Sequence, residues 1–217
     1  MARLLMIESW VNSTGLCLPP RLVDRGHQYV LVTRDPATYG TTATGAPHPV
    51  VREAAEVVVA DTNDPVALAD AAADVAARLP IDGVLTTCDY YLEAVAVVAE
   101  RLGLAGSPPA ALRTATRKHL VRQRLDDAGV PNPRWALAGD ADEALAVAAT
   151  LGYPLVAKPV DLNSGTAVRL VASDADLKDA VDEVRAAVTN TRGQPLARLV
   201  LLEEVLTGTE VSVEAVT

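Results

Sequence analysis

Short apolar segments alternate with helical segments over the first hundred residues, and this alternation is the feature that most constrains the fold. Four segments have the length and composition of buried strands: Leu4–Ile7, Tyr29–Val32, Val57–Ala60 and Val84–Thr87. Helices are predicted over Pro19–Asp24, Pro65–Leu79 and Tyr91–Leu102, and a long loop over residues 34–49, which are rich in Pro, Gly and Thr. This spacing is typical of a parallel, Rossmann-like sheet in an α/β protein.

The Pro-rich segment Leu104–Pro109 predicts a domain boundary, so we expect one domain over residues 1–109 and another over 110–217. In the second domain a helix is predicted over Ala110–Ala128, with a break near Thr114–Arg117. Further helices are predicted at 140–151 and 173–188, and strands at 155–159 and 167–171.

Residues 199–214 combine a buried apolar strand, the carboxylate pair Glu203 and Glu204, a turn at Gly208, and a second, alternating strand opened by Glu210. Carboxylates that directly follow a buried strand are costly inside a fold unless a ligand or partner supplies donors. The pattern suits a ligand with donors on its edge and two hydroxyl groups nearby, such as adenine with ribose. An ordinary hairpin with solvated glutamates is the alternative.

Lys158 lies in the apolar strand 155–159, where an ammonium group needs an anionic partner. A phosphate is one such partner, and a structural carboxylate such as Glu203 is another. The following polar loop contains Ser164, Gly165 and Thr166, which can present N–H groups and hydroxyls to a phosphate or form a plain turn. Lys118 lies early in a helix, where the helix dipole opposes a cation.

Composition excludes several other classes of function. The net charge of −9 argues against nucleic acid or an anionic membrane as the main partner. The first β/α turn lacks the Gly-x-Gly-x-x-Gly motif of dinucleotide-binding proteins, and no Cys or His cluster predicts a metal site. Polar residues that follow strands at the predicted ligand-binding edge, Glu8, Asn12 and Asp89, are candidates for substrate contact or ordinary loop residues.

The N-terminal segment is too short in apolar residues for a signal peptide, and no stretch has the length of a membrane-spanning helix. The two cysteines lack the spacing of a disulfide scaffold or a zinc site. We therefore expect a cytoplasmic protein.

Four pieces of the second half, in this order, resemble the ATP-grasp superfamily of carboxylate–amine ligases. They are Arg117-Lys118 with the helix end Gly129-Val130-Pro131, the strand Leu155–Pro159, the loop Asn163–Thr166, and the segment Leu202–Glu210. The first half resembles the Rossmann-like domain that precedes the ATP-grasp fold. Its segment Thr86–Tyr90 is similar to that of the L-amino-acid ligase branch, which includes dipeptide and carnosine-type synthases.

The resemblance implies an α/β chain with a Rossmann-like domain followed by the first, smaller ATP-grasp subdomain. It also implies an ATP site: Lys118 and Lys158 at the phosphates; Ser164, Gly165 and Thr166 in a phosphate lid; Glu203 at the adenine amino group; the backbone of Glu204, Val205 and Leu206 at the ring edge; and Glu210 at the ribose. The lid contains fewer glycines than is usual for the family.

The implied reaction joins a carboxylate, expected to be an amino acid, to an amine through an acyl phosphate. A non-catalytic nucleotide-binding module and a purine-pathway or siderophore-type ligase are the alternatives. The family's Mg²⁺ ligands lie in a second lobe downstream, so we expect this chain to be a fragment whose metal ligands would lie beyond Thr217. The expected partners are ATP and amino-acid-like small molecules, and the composition is compatible with a homodimer.

Overall fold

The computed structural model describes residues 1–213, and the chain divides into two compact units, Met1–Thr116 and a second that begins at Arg117. The helix over Pro109–Thr116 belongs to the first unit by its contacts. The boundary after Pro109 stays a prediction. Among the described residues, no helix combines the length and the apolar character that crossing a membrane requires.

The first unit contains four strands and five helices. The strands are β1 (Arg3–Ile7), β2 (Gln28–Thr33), β3 (Glu56–Val59) and β4 (Gly83–Leu85). The helices are α1 (Thr14–Asp24), α2 (Pro49–Arg52), α3 (Pro65–Arg78), α4 (Leu92–Arg101) and α5 (Pro109–Thr116), with short 3₁₀ helices at Pro36–Tyr39 and Asp89–Tyr91. The strands are parallel in the order β3-β2-β1-β4, which confirms the predicted Rossmann-like sheet.

Both faces of this sheet are buried, which explains why its strands are continuously apolar. Leu5 and Ile7 of β1 belong to an apolar cluster that includes Leu68 of α3. Met6, which lies between them, belongs to a second cluster with Tyr39. Each of these β1 side chains is fully buried, which is worth about 1.5–3 kcal/mol per side chain.

Two connections of the first unit differ from their predictions. Helix α1 begins at Thr14, before the predicted start at Pro19. Gly15 permits this early start, because a Cβ atom there would lie 1.7 Å from the Trp10 carbonyl oxygen. The loop predicted over residues 34–49 contains the 3₁₀ helix at Pro36–Tyr39 and the start of α2. Side chains cap both of these short helices, which have no apolar period that a sequence analysis could detect.

As far as residue 213, the second unit contains four strands and three helices. The strands are β5 (Trp135–Ala138), β6 (Leu155–Pro159), β7 (Arg169–Val171) and β8 (Val200–Glu204), and the helices are α6 (Lys118–Asp127), α7 (Ala141–Leu151) and α8 (Asp174–Ala186). All neighbouring strands are antiparallel, in the order β5-β8-β6-β7. The predicted helix break is confirmed, because α5 ends at Thr116 and Arg117 has an extended backbone before α6.

The second strand predicted after Glu210 is wrong where the structure describes it. Residues 211–213 form no strand, and residues 214–217 of that prediction lie outside the described residues. Glu210 itself is exposed and does not open a strand. An alternating sequence needs a neighbouring strand to pair with, and within residues 1–213 no strand of the second sheet pairs with this segment.

The start of α3 provides a local test of the fold. Asp64 accepts hydrogen bonds from the backbone N–H groups of Val66 (2.8 Å) and Ala67 (3.3 Å), and Pro65 occupies the first helical position. We expect Asp64→Ala to lower the free energy of unfolding by about 1 kcal/mol, because two N–H groups lose their cap. Urea denaturation measures this loss, and Asp64→Asn, which keeps an acceptor, should recover most of it.

Candidate functional site

The two faces of the second sheet have different chemistry. Leu155 and Ala157 of β6 and Leu202 of β8 are completely buried in an apolar cluster with residues of α7 and α8. Side chains alternate between faces along a strand, so Lys158 and Glu203 lie on the opposite face. The pairing of β6 with β8 places Glu203 next to Val156, and Lys158 lies two residues farther along β6, so both charged groups share this face.

A compact ionic cluster occupies this second face. Lys158 Nζ donates to Glu203 Oε2 at 2.5 Å, and Arg122 of α6 donates through Nε to Oε1 at 2.6 Å and through Nη2 to Oε2 at 3.2 Å. Glu203 is 4% exposed, and the side chains of Lys158 and Arg122 are 16% and 24% exposed. Two cations therefore share one carboxylate in a largely dehydrated place, which leaves one positive charge in excess.

The protonation of Glu203 follows from these contacts. Burial by itself raises the pKa of the Glu203 carboxyl group, but hydrogen bonds from Arg122 and Lys158, together with their positive charges, outweigh burial. The pKa of Glu203 therefore lies below its ordinary value of 4.5, and the group is ionised at neutral pH. Of the two partners that the sequence allowed for Lys158, the structure shows the structural carboxylate.

Arg122 is the member of this cluster that the sequence analysis missed. Its Nη1 atom donates to Asn132 Oδ1 at 3.2 Å, and Asn132 Nδ2 donates to the Arg122 carbonyl oxygen and to Asp126 Oδ1. Asp126 also accepts from Trp135 Nε1 at 2.7 Å, and these hydrogen bonds lower the pKa of Asp126. A detectable signal existed, because Arg122 follows Lys118 by four residues and residues at that spacing share a helix face.

Lys118 ties the start of α6 to the segment that follows β6. Its N–H group donates to the Val160 carbonyl oxygen at 2.9 Å, and its Nζ atom donates to the Leu162 carbonyl oxygen. The adjacent His119 has an Nδ1 atom that is buried without a hydrogen-bond partner among residues 1–213. Burial and the nearby Arg117 charge lower the pKa of His119, so its ring is neutral at pH 7.

The predicted phosphate lid is an exposed turn between β6 and β7. Ser164, Gly165 and Thr166 are all exposed, and the Thr166 N–H group donates to the Asn163 carbonyl oxygen at 3.0 Å. Ser164 and Gly165 have φ angles of 54° and 71°. A left-handed backbone costs little at glycine, whereas at Ser164 it is sparsely populated. The turn presents hydroxyls and N–H groups to solvent, and its contact with phosphate stays a prediction.

The remaining residues predicted to bind ATP follow Glu203 along the chain. Glu204 pairs with Arg134, which donates through its backbone N–H to Oε1 at 2.9 Å and through Nε to Oε2 at 2.8 Å. The Glu204 N–H group donates to the Arg134 carbonyl oxygen, so this strand end is already paired. Val205 is half-buried and Leu206 is exposed, both directly beyond the end of β8.

The candidate substrate residues lie near the carboxyl ends of β1 and β4 in the first unit. Asp89 accepts from Trp10 Nε1 at 3.2 Å, so the loops after these two strands meet. Asn12 is exposed, and its carbonyl oxygen accepts from the Gly15 N–H group. Glu8 is 3% exposed.

Glu8 accepts four hydrogen bonds from the chain itself: from Thr33 Oγ1, the Arg34 N–H group, the Tyr39 hydroxyl and Thr62 Oγ1, at 2.7–3.0 Å. A carboxylate has about four acceptor sites, so these donors fill Glu8. The geometry favours a structural role for Glu8, and its contact with substrate stays a prediction.

A shallow groove of about 490 Å³ lies beside the ionic cluster. It is lined by Asp126, Asn132, Pro133, Arg134, Trp135, Thr150 and Leu151. The groove contains three members of the network that holds Arg122 and none of the residues predicted to bind ATP. Within residues 1–213, no three His, Cys, Asp or Glu side chains group as metal ligands would.

The cluster is suited to a ligand that is both anionic and rich in hydrogen-bond donors. Glu203 has three donor contacts at its four acceptor sites, which leaves one site for a further N–H group. An ammonium group and a carboxylate with one unused acceptor site therefore lie together on one face of the second sheet, and their contact with a nucleotide stays a prediction.

Two protein-family models match the chain, one in each half. The model of the ATP-grasp N-terminal domain matches residues 24–106, and the ATP-grasp (A) domain of phosphoribosylglycinamide synthetase matches residues 116–217. A curated relative, the uncharacterized protein y4rH of Sinorhizobium fredii, is 28% identical over 179 residues. This match covers 82% of the chain and 35% of the relative.

Solved structures show the same fold. The L-amino acid ligase from Bacillus licheniformis superposes with a TM-score of 0.69 at 22% identity, over 96% of this chain and 45% of that one. The ADP complex of N5-carboxyaminoimidazole ribonucleotide synthetase superposes with a TM-score of 0.66 at 16% identity, over 94% and 47%. The chain thus spans a third to a half of the length of these proteins. With both of its halves matched by models of ATP-grasp domains, the chain belongs to the ATP-grasp superfamily.

Proposed function

We propose that the second unit binds ATP and that the chain is part of a carbon–nitrogen ligase that joins a carboxylate to an amine. The observation that carries the proposal is the buried cluster of Glu203, Lys158 and Arg122, with its excess positive charge. Its placement supports the ATP roles inferred for Lys158 and Glu203 from the sequence. The adenine amino group would use the remaining acceptor site of Glu203, and Lys158 would contact the phosphates.

Other residues would complete the nucleotide site. Backbone groups of Val205 and Leu206, beyond the end of β8, would pair with the edge of the adenine ring, and Glu210 would accept from the ribose hydroxyls. Lys118 would donate to a phosphate once its ammonium group leaves the Leu162 carbonyl oxygen, and the turn at Ser164–Thr166 would cover the phosphates. These roles come from the resemblance of the chain to ATP-grasp ligases.

The proposed reaction has two steps. A carboxylate oxygen of the first substrate attacks the γ-phosphorus of ATP, which breaks the bond to the β-phosphate oxygen and releases ADP. The amine of the second substrate then attacks the carbonyl carbon of the acyl phosphate, and phosphate leaves as the nitrogen loses a proton. The cations of the second unit would position the phosphates and offset their charge.

Replacing Lys158 tests the nucleotide site directly. We expect Lys158→Ala to weaken ADP binding by about 10- to 100-fold, because a charge-assisted hydrogen bond is worth about 1.5–3 kcal/mol. Adenosine affinity should change by less than about threefold, since Arg122 still balances Glu203. Isothermal titration calorimetry measures both affinities. Lys178→Ala, at an exposed position of α8, is the control. An unchanged ADP affinity in Lys158→Ala would remove the phosphate role.

Amino acids are the proposed substrates, because the chain shares its fold with an L-amino acid ligase over nearly its whole length. A purine-pathway ligase is the second candidate, because residues 116–217 match the phosphoribosylglycinamide synthetase model. Phosphate release by the protein encoded by the complete open reading frame, assayed with pairs of amino acids and with phosphoribosyl amines, discriminates between them. A homodimer remains a prediction, which light scattering checks.

A further inference from the structure

The ionic cluster poses a physical problem for any ligand that is to take Lys158 as its partner. Glu203 is almost fully buried and ionised, so a departing Lys158 would leave a carboxylate without a counter-charge unless a second cation were present. An uncompensated buried charge is strongly unfavourable, and a lone Lys158–Glu203 pair would therefore hold the ammonium group in place. The structure contains a second cation, Arg122, with two donor atoms on the same carboxylate.

We propose that Arg122 is a positioning residue that keeps Glu203 balanced without Lys158, so that the Lys158 ammonium group can transfer from Glu203 to the phosphates of a ligand. Arg122 acts through Glu203 and Lys158 and need not touch the ligand. The phosphate part of this inference rests on the proposed function, whereas the release of Lys158 from Glu203 does not.

The surroundings of Arg122 are those of a fixed cation. Its Nη1 atom is held by Asn132, which is itself held by Asp126 and by the Arg122 carbonyl oxygen. Trp135 donates to Asp126, and Trp135 is the residue paired with Glu203 across β5 and β8. The hydrogen bonds and this strand pairing thus form a closed loop of contacts around the guanidinium group.

Lys158 has no comparable support in the contacts that the structure gives for it. Its Nζ atom donates to Glu203, from a flexible side chain on the central part of the sheet face. A guanidinium group forms a rigid fork with a carboxylate, whereas an ammonium group is a compact charge on a flexible stem. The two cations of Glu203 are therefore different in kind: Arg122 is suited to stay, and Lys158 is suited to exchange partners.

Lysine acylation measures the release of Lys158 without any nucleotide. The chain has three lysines, Lys118, Lys158 and Lys178, so mass spectrometry can assign the reaction of each with N-hydroxysuccinimidyl acetate at pH 8. Only an ammonium group that leaves its carboxylate and loses its proton reacts. We expect Arg122→Gln to slow acylation of Lys158 about tenfold, because Lys158 is then the remaining cation on the buried Glu203 carboxylate and its departure leaves that charge uncompensated. Exposed Lys178 is the internal standard.

Four further variants separate positioning from a general structural role. Glu203→Gln should accelerate acylation of Lys158, and adding Arg122→Gln to Glu203→Gln should have no further effect, because no carboxylate remains to hold the lysine. Arg122→Lys, which keeps the charge, should stay within about threefold of the wild type. Arg124→Gln, an exposed arginine on the same helix, should leave the rate unchanged. Equal or faster acylation of Lys158 in folded Arg122→Gln would overturn the proposal.

The nucleotide arm compares ADP with adenosine by calorimetry. Arg122→Gln should lower the ADP affinity about tenfold more than the adenosine affinity, and Glu203→Gln in the same chain should restore the ratio of the two affinities. Equal losses for both ligands would contradict the transfer of Lys158 to phosphate. A wild-type chain that binds neither ligand would contradict the proposed ATP site, and the acylation rates would still decide whether Arg122 releases Lys158.

Discussion

Replacing Glu203 by alanine is expected to lower the free energy of unfolding of the second unit by about 3 kcal/mol, because removal of one partner leaves the charges of a buried ion pair uncompensated. Arg122 and Lys158 would then face each other without their common carboxylate in a place where both are largely dehydrated. Urea denaturation followed by circular dichroism measures the loss. On the proposed function ADP binding should fall with it, since Glu203 is the proposed partner of the adenine amino group.

The neighbouring Glu204 provides a matched control for this substitution. Glu204 also pairs with an arginine, but Arg134 is 59% exposed at its side chain, and solvent screening leaves an exposed ion pair a small contribution to stability. Glu204→Ala should therefore cost far less than Glu203→Ala. Equal losses for the two variants would show that burial of the cluster does not govern its contribution.

The wild-type chain and Glu203→Ala should differ in how their stability depends on pH. Burial raises the pKa of Glu203, but the hydrogen bonds and charges of Arg122 and Lys158 outweigh it, so the folded-state pKa lies below 4.5. A lowered pKa means that the contribution of Glu203 to stability is fully present above the unfolded-state pKa. It is lost as the pH falls through the folded-state pKa. The wild type should therefore lose more stability than Glu203→Ala when the pH is lowered below about 4.5.

Glu8→Ala is expected to destabilise the first unit by about 4 kcal/mol, since four buried or half-buried donors lose their acceptor at once. Two of these donors are hydroxyl groups: that of Thr33, at the end of β2, and that of Thr62, in the loop after β3. A third is the hydroxyl group of Tyr39. Glu8 thus joins three separate connections beneath the carboxyl ends of the strands.

Hydrogen exchange resolved by peptide localises this effect. Peptides of residues 1–116 should lose protection in Glu8→Ala, while those of α7 and α8 should keep it. Asp35→Ala, which removes an exposed cap from the same region, should cost no more than about 1 kcal/mol. A Glu8→Ala chain with wild-type stability and impaired substrate binding would instead favour the substrate contact considered from the sequence.

The sequence predicts those elements of the fold that the pattern of apolar residues defines by itself. Buried strands such as Leu4–Ile7 must be continuously apolar because both faces of a parallel sheet are covered, so their positions are visible without any tertiary information. The 3₁₀ helix at Pro36–Tyr39 is not visible in this way, since one capping side chain, Asp35, rather than an apolar period, defines it. Alternation after Glu210 is equally insufficient, because a strand exists only with a partner.

The candidate site is predictable in its acidic and lysine members but not in their pairing. Lys158 and Glu203 are conspicuous, because each adds a charge to an apolar strand. The sequence left open whether Lys158 pairs with phosphate or carboxylate. The answer depends on the strand order, which places β8 beside β6, and on the register of these two strands. The sequence signal of Arg122, its four-residue spacing from Lys118, is weaker, since it does not show that the fold brings this arginine to Glu203.

The order of strands in the second sheet has a consequence for synthesis on the ribosome. β8 is the last strand of that sheet to be made, and yet it lies in the interior between β5 and β6. A nascent chain that has emerged only as far as α8 holds the β6–β7 hairpin and an unpaired β5, with the place of the intervening strand still vacant. Until residues 200–204 emerge, the growing chain exposes two unpaired strand edges that can pair with other chains. A chaperone that covers such edges would prevent aggregation most effectively during that interval.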